Sequence, residues 1–150
     1  MPKKPTTADA QLILQLYDFR REPEMRKARS WWAGSFWPET AEDYTKVSSA
    51  YSIPENAWMR QVVGYWEMAA ALVLRGALNE DLFFDTCGEM WFTLARVSPM
   101  LREIRNQMQT PDLLAHVEKL ATKTKAGKDR LKRLEARTVA WRKSMMATSR

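Results

Sequence analysis

YWEMAAALVLRG, residues Tyr65 to Gly76, is a nearly all-apolar helical stretch carrying one carboxylate, Glu67, among residues suited to a packed core. Its composition marks the centre of an all-α fold. Upstream, Ser52 and Glu55 stand at the spacing of a capping box, in which a hydroxyl and a carboxylate satisfy the free amides of a helix start. The pattern predicts a long central helix over Pro54 to Arg75. Downstream, Gly76 suits the left-handed residue just past a helix end. Asn79 then offers a cap, and Glu80 and Asp81 place acid near the positive end of the next dipole.

That next helix is predicted over Glu80 to Val97, presenting Phe84, Cys87, Trp91 and Leu94. Gly64 and Gly88 fall inside the two helical patterns, where glycine costs up to about 1 kcal/mol relative to alanine. A packing role is the natural reason, so the two helices are expected to run antiparallel with a close approach at these glycines.

The remaining boundaries follow from the same chemistry. A first helix spans about Thr7 to Arg20, with Leu12, Ile13, Leu16 and Tyr17 as its stripe. Pro23 opens a second, with Met25, Ala28, Trp32 and Phe36 on one face, ended at Trp37 and Pro38. Thr40 and Asp43 form another capping box, for a short helix over Thr40 to Tyr51. Ser98-Pro99 and Thr110-Pro111 each resemble a cap followed by proline in the first turn. Hairpin turns and sustained alternation are absent, so no strand is expected. The fold read from the chain is an all-α, single-domain bundle of six or seven helices, ending in a long basic C-terminal helix.

At 150 residues the chain fits one domain. Seven Trp and nine Met against five Gly describe a packed helical protein and exclude disorder along the whole chain. The single Cys87 has no internal partner, and a reducing, cytoplasmic compartment is the simplest reading. The start, MPKKPTTADAQ, lacks the apolar region of a secretory signal. The longest apolar run, Met68 to Leu74, is far short of the roughly 20 residues a bilayer requires, so no integral membrane segment is expected.

The net charge of +6 conceals a division. Residues 1–118 hold 13 Lys and Arg against 16 Asp and Glu, a balance of −3, whereas residues 119–150 hold 11 against 2, a balance of +9. Residues 1–122 are therefore read as the helical core domain, and 123–150 as a basic amphipathic tail packed on the body or on a partner. Leu113, Val117, Leu120, Thr124, Gly127, Leu131, Leu134, Thr138, Trp141 and Met145 follow one another at steps of four and three, a heptad-like seam flawed at Thr124 and Gly127, where a break or hinge fits.

Three uses of this tail stay open. One is a final helix laying Leu131, Leu134, Trp141 and Met145 on its own body or on a second copy. Another is helix-in-groove binding to a protein partner. The last is attraction to nucleic acid or an anionic surface through Lys123, Lys125, Lys128, Arg130, Lys132, Arg133 and Arg137.

Catalytic candidates are few. On a helical wheel Glu67 shares a face with Arg60, Gly64, Ala71 and Arg75, so Arg60, Glu67 and Arg75 form a candidate polar pocket, with an arginine ion pair as the simpler expectation. Asp85 and Glu89 are one turn apart, yet a di-metal carboxylate bundle needs two Glu-x-x-His motifs and the chain has one histidine. Cys87 and His116 lack an orienting third group, and Cys87 shares the Phe84, Trp91 stripe, which favours an inert buried thiol. Phosphate loops, nucleophile elbows and zinc spacings are missing. No catalytic residue, cofactor or metal ligand is assigned.

PEMRKAR at 23–29, YWEMAAALVLRG at 65–76 and LNEDL at 78–82 together resemble an uncharacterised family of small bacterial helical proteins, a domain of unknown function. The resemblance implies an all-helical fold, a bacterial or phage origin and no established activity. Relatives of this kind can carry a membrane-spanning segment ahead of the domain. This chain instead has a short polar start, and its basic tail looks like an addition. The function expected is a non-catalytic helical interaction protein, self-associating or binding another protein through the final helix, with a homodimer among the options. The alternatives are a nucleic-acid-associated protein using the basic tail, or an enzyme with a pocket at Glu67.

Overall fold

Short polar side chains cap four of the described helix starts in the computed structural model, which describes residues 3–149. Thr6 and Asp9 cap α1 (Thr7–Arg20) reciprocally, and Thr40 and Asp43 do the same for α3 (Ala41–Ser48). Backbone N–H donors, chiefly of Thr6 and of Glu39, hold the Asp9 and Asp43 carboxyls below the usual carboxylate range. Between these helices lies α2 (Pro23–Gly34), with proline in its first turn. Then come α4 (Pro54–Leu74), α5 (Glu80–Thr86), α6 (Glu89–Ala95), a 3₁₀ turn at Ser98–Met100, α7 (Leu101–Met108), α8 (Ala115–Ala121) and α9 (Lys125–Thr148). The described residues contain no strand, so the class is all-α.

Four expectations need correction. The first is the Ser52 capping box, because α4 starts after Ile53 without a side-chain cap. Pro54 suffices there, since its fixed φ suits a helix start and its missing N–H is one that would lack a partner anyway.

The second is the single helix over Glu80 to Val97, which breaks at Cys87 and Gly88 and raises the helix count above six or seven. Thr86 turns its hydroxyl back to the Leu82 carbonyl at 2.7 Å, a bond known to weaken and bend helices. The third is the helix at Thr110-Pro111, where α7 instead ends in left-handed Gln109 (φ 54) and a turn leads to left-handed Leu114 (φ 55) before α8. The Thr110 N–H bonds back to the Arg105 carbonyl at 3.0 Å, closing the chain after α7 as a glycine-type cap would.

The fourth is the glycine-mediated pairing. Gly64 is exposed and a Cβ there would meet nothing within 4 Å. Gly88 would meet only the Arg130 side chain, at an ordinary 3.7 Å. The main neighbours of α4 are α2 and α8, not the Trp91 helix.

The stripe that α4 buries is Met59, Val62, Trp66, Ala69, Ala70 and Val73, at helical spacing. Trp32 from α2, Phe83 from α5 and Trp91 from α6 complete the aromatic centre, each almost wholly buried. Phe83 lies 6.4 Å from both the Trp66 and the Trp91 ring, which links α4 to α6 through α5. Gly76 takes φ +77 at the end of α4, the conformation that residue type was expected to supply.

Candidate interaction surface

The α9 seam turns inward. Leu131 and Thr138 are buried, Leu134 and Trp141 half-buried, and α6 and α8 are the helices they cover. Trp141 meets Phe92 of α6 with ring centroids 6.0 Å apart, and Arg142 donates to the Pro38 carbonyl at 3.0 Å. The seam is interrupted where the sequence is poorest for helix. α8 stops at Ala121, and Thr124 caps α9 by accepting the Gly127 N–H at 3.0 Å. Gly127 is required there because a Cβ would collide with the Ala121 carbonyl.

The basic residues divide into two sets. Arg130 turns inward, with its guanidinium 3.7 Å from the centre of the Phe84 ring and 4.8 Å from that of Trp91, and donates to the Phe84 carbonyl at 2.9 Å. Partial burial lowers its pKa somewhat. Lys123 pairs with Glu80, and Lys125 with Asp129 one turn on. Arg137 lies 4.5 Å from the Trp141 ring on its own helix, yet is exposed. Lys128, Lys132 and Arg133 are exposed and make no ion pair among the described residues. Past Trp141 the helix carries Met145 and Met146, both about half exposed, and Val139, two residues before Trp141, is 40% exposed.

Glu67 has a role that helical-wheel reasoning missed. Its partner is neither Arg60 nor Arg75 but the start of α8, and the expected arginine pair is corrected accordingly. One oxygen accepts the His116 N–H at 3.0 Å and lies 2.6 Å from the His116 Nδ1; the other accepts the Val117 N–H at 3.1 Å. Leu114, which precedes α8, has no side-chain acceptor to cap it, so Glu67 supplies the cap from across the bundle. Arg60 instead donates to Asn56 at 3.0 Å, and Arg75 is exposed beyond α4. No sequence signal could have joined Glu67 to a residue 49 positions away.

Arginines of the body are used internally as well. Arg29 clasps Glu89 with two bonds of 2.7 and 2.8 Å, a fork that raises the Arg29 pKa and engages one of the two acids that stand a turn apart at 85 and 89. Arg20 is buried, 5.2 Å from the Trp66 ring centre, with Nη1 3.8 Å from Cys87 Sγ. Burial pushes the neighbouring Tyr65 hydroxyl up to about 12, and Tyr65 donates to the Leu16 carbonyl at 2.6 Å. Arg96, also buried, stacks 3.6 Å from Trp37 and donates to Phe36 and Ala33 carbonyls at the end of α2. Burial pulls it down to about 10, so it keeps its charge at neutral pH. Cys87 is buried, and His116 sits with Glu67, so thiol and imidazole have separate partners. Among the described residues no three acidic, His or Cys side chains converge as a metal site would need.

Residues 5–124 match the family described as "Domain of unknown function (DUF4760)". The chain belongs to the DUF4760 family. No curated protein and no solved structure matches it. The DUF4760 match ends one residue before α9 begins, so α1 to α8 form the matched body and α9 lies outside it. The Glu67 cap and the Arg29–Glu89 pair therefore belong to the DUF4760 body, whereas the exposed cations from Lys128 to Arg137 lie beyond it. No described helix is long and apolar enough to cross a membrane.

Proposed function

We propose that this DUF4760 protein is a non-catalytic interaction module that presents the outer face of α9 to an acidic surface on a protein partner. The reading rests on the geometry of α9. Its apolar stripe and Arg130 are spent on the body, which holds the helix in place, while Lys128, Lys132, Arg133 and Arg137 face solvent along the other side. A rigidly mounted row of cations complements an acidic patch and speeds encounter with it. Glu67 argues the non-catalytic half, because its oxygens are occupied by two backbone N–H groups and an imidazole at a helix start. A cytoplasmic location belongs to the same reading and rests on the lone, buried Cys87 thiol.

Self-association is a second reading, favoured by Val139, Met145 and Met146, which the body leaves uncovered near the end of α9. Nucleic acid is the other acidic occupant that the cation row would attract. One experiment separates the three. Wild-type protein and a Lys128→Glu, Lys132→Glu, Arg133→Glu variant are recovered from the native cell, with and without nuclease, and sedimented. A protein that survives nuclease and disappears with the variant supports the main reading. Bound material lost to nuclease supports nucleic acid, and a monomer at working concentration removes self-association. Identical bound proteins on both forms would overturn the main reading.

A further inference from the structure

We propose that the cavity beneath the α8–α9 junction is a binding site for a small organic cation, an alkyl- or arylammonium. The cavity measures about 270 Å³, at the small end of ligand pockets. Phe83 and Phe84 of α5, Trp91 of α6 and Leu120 of α8 form its walls, three of them buried, so the interior is apolar. The polar lining consists of Glu80, Asp81 and Thr124. Glu80 is occupied by Lys123. Asp81 is exposed, and no hydrogen bond or ion pair engages its side chain among the described residues.

An open carboxylate beside aromatic walls is the complement of an ammonium group on an apolar body. The carboxylate accepts charged N–H donors, and the ring faces carry the negative side of their quadrupole. Arg130 already covers Phe84 and lies near Trp91 while bonded to the Phe84 carbonyl, so the Asp81 carboxylate is the open partner for a ligand ammonium and the apolar walls take its body. An anion of the same shape would meet the Asp81 carboxylate instead. Thr124 and Ala126 bring the first turns of α9 onto the cavity, so its occupant touches the DUF4760 body and the tail helix together. Occupancy ties α9 to the body. The site does not depend on the partner surface proposed for the cations of α9.

Titration calorimetry of the full chain with phenethylammonium, 2-phenylethanol and 3-phenylpropionate tests the assignment. The cation is expected to bind about tenfold more tightly than the alcohol, with the anion weakest, in line with a charge-assisted hydrogen bond at a partly open site. Asp81→Asn is expected to remove about fivefold of that preference. Ala126→Phe changes an exposed residue at the mouth and is expected to keep the melting temperature while abolishing binding. Equal binding of the three probes, no binding of the cation at millimolar concentration, or undiminished binding to Ala126→Phe would each overturn the proposal.

Discussion

Replacing Glu67 with alanine removes an acceptor that serves three donors at the first turn of α8. Two are backbone N–H groups, of His116 and Val117, at 3.0 and 3.1 Å, and the third is the imidazole at 2.6 Å. Losing a side-chain cap costs about 0.5–2 kcal/mol. Hydrogen bonds to a charged group are each worth about 1.5–3 kcal/mol when buried. The Glu67 and His116 side chains are 25% and 42% exposed, so water replaces part of what is lost. The net expectation for Glu67→Ala is about 2–3 kcal/mol. For a chain of this length that is a fall of about 5–10 °C in melting temperature. Glu67→Gln retains one carbonyl acceptor and is expected to lose about half as much.

Urea denaturation followed by circular dichroism reads these differences directly. A double-mutant cycle with His116→Ala assigns the partner, with a coupling of about 1 kcal/mol expected. The corresponding cycle with Arg60→Ala is expected to show none, because Arg60 is engaged by Asn56. If Glu67→Ala stays within about 0.5 kcal/mol of wild type, or couples to Arg60 more strongly than to His116, the cap assignment is wrong.

Gly64→Ala is expected to stabilise the protein by about 0.5–1 kcal/mol, since the site is helical, exposed and open, whereas Gly76→Ala at φ +77 is expected to destabilise by about 1 kcal/mol, both read by melting temperature. Gly127→Ala sets a Cβ against the Ala121 carbonyl, and faster amide exchange across the α8–α9 junction, with a lowered melting temperature, is its expected signature. The folded-state pKa of Asp43 lies below its unfolded value, so its cap is at full strength above the unfolded value and fades as pH falls through the folded one; Asp43→Asn should flatten that acid limb of the stability curve, and an unchanged limb would remove Asp43 as a source.

Local chemistry was legible wherever one short segment settles its own conformation. Thr40 with Asp43, Asn79 ahead of two acids, and Gly76 after an apolar helix each supply or accept their bonds within a few residues, so composition alone places those boundaries. The seam through Leu131, Leu134 and Trp141 was legible for the same reason, as was its weak point at Thr124 to Gly127. Thr86 and Gln109 show the limit of this reading. A threonine can cap, extend or bend a helix, and glutamine rarely takes a left-handed φ, so only the completed chain shows which bond each makes.

Long-range partnership is a different kind of information. By itself the sequence determined an all-helical chain with an apolar centre at Tyr65 to Gly76, an acidic body and a basic final helix. Tertiary structure alone decided that Glu67 caps α8, that Arg29 clasps Glu89, and that Arg130 folds inward while Lys128, Lys132 and Arg133 face out. The physical reason is that caps and helical periods act over three or four residues. A carboxylate or guanidinium goes to whichever unsatisfied group the packing of distant helices brings within about 3 Å.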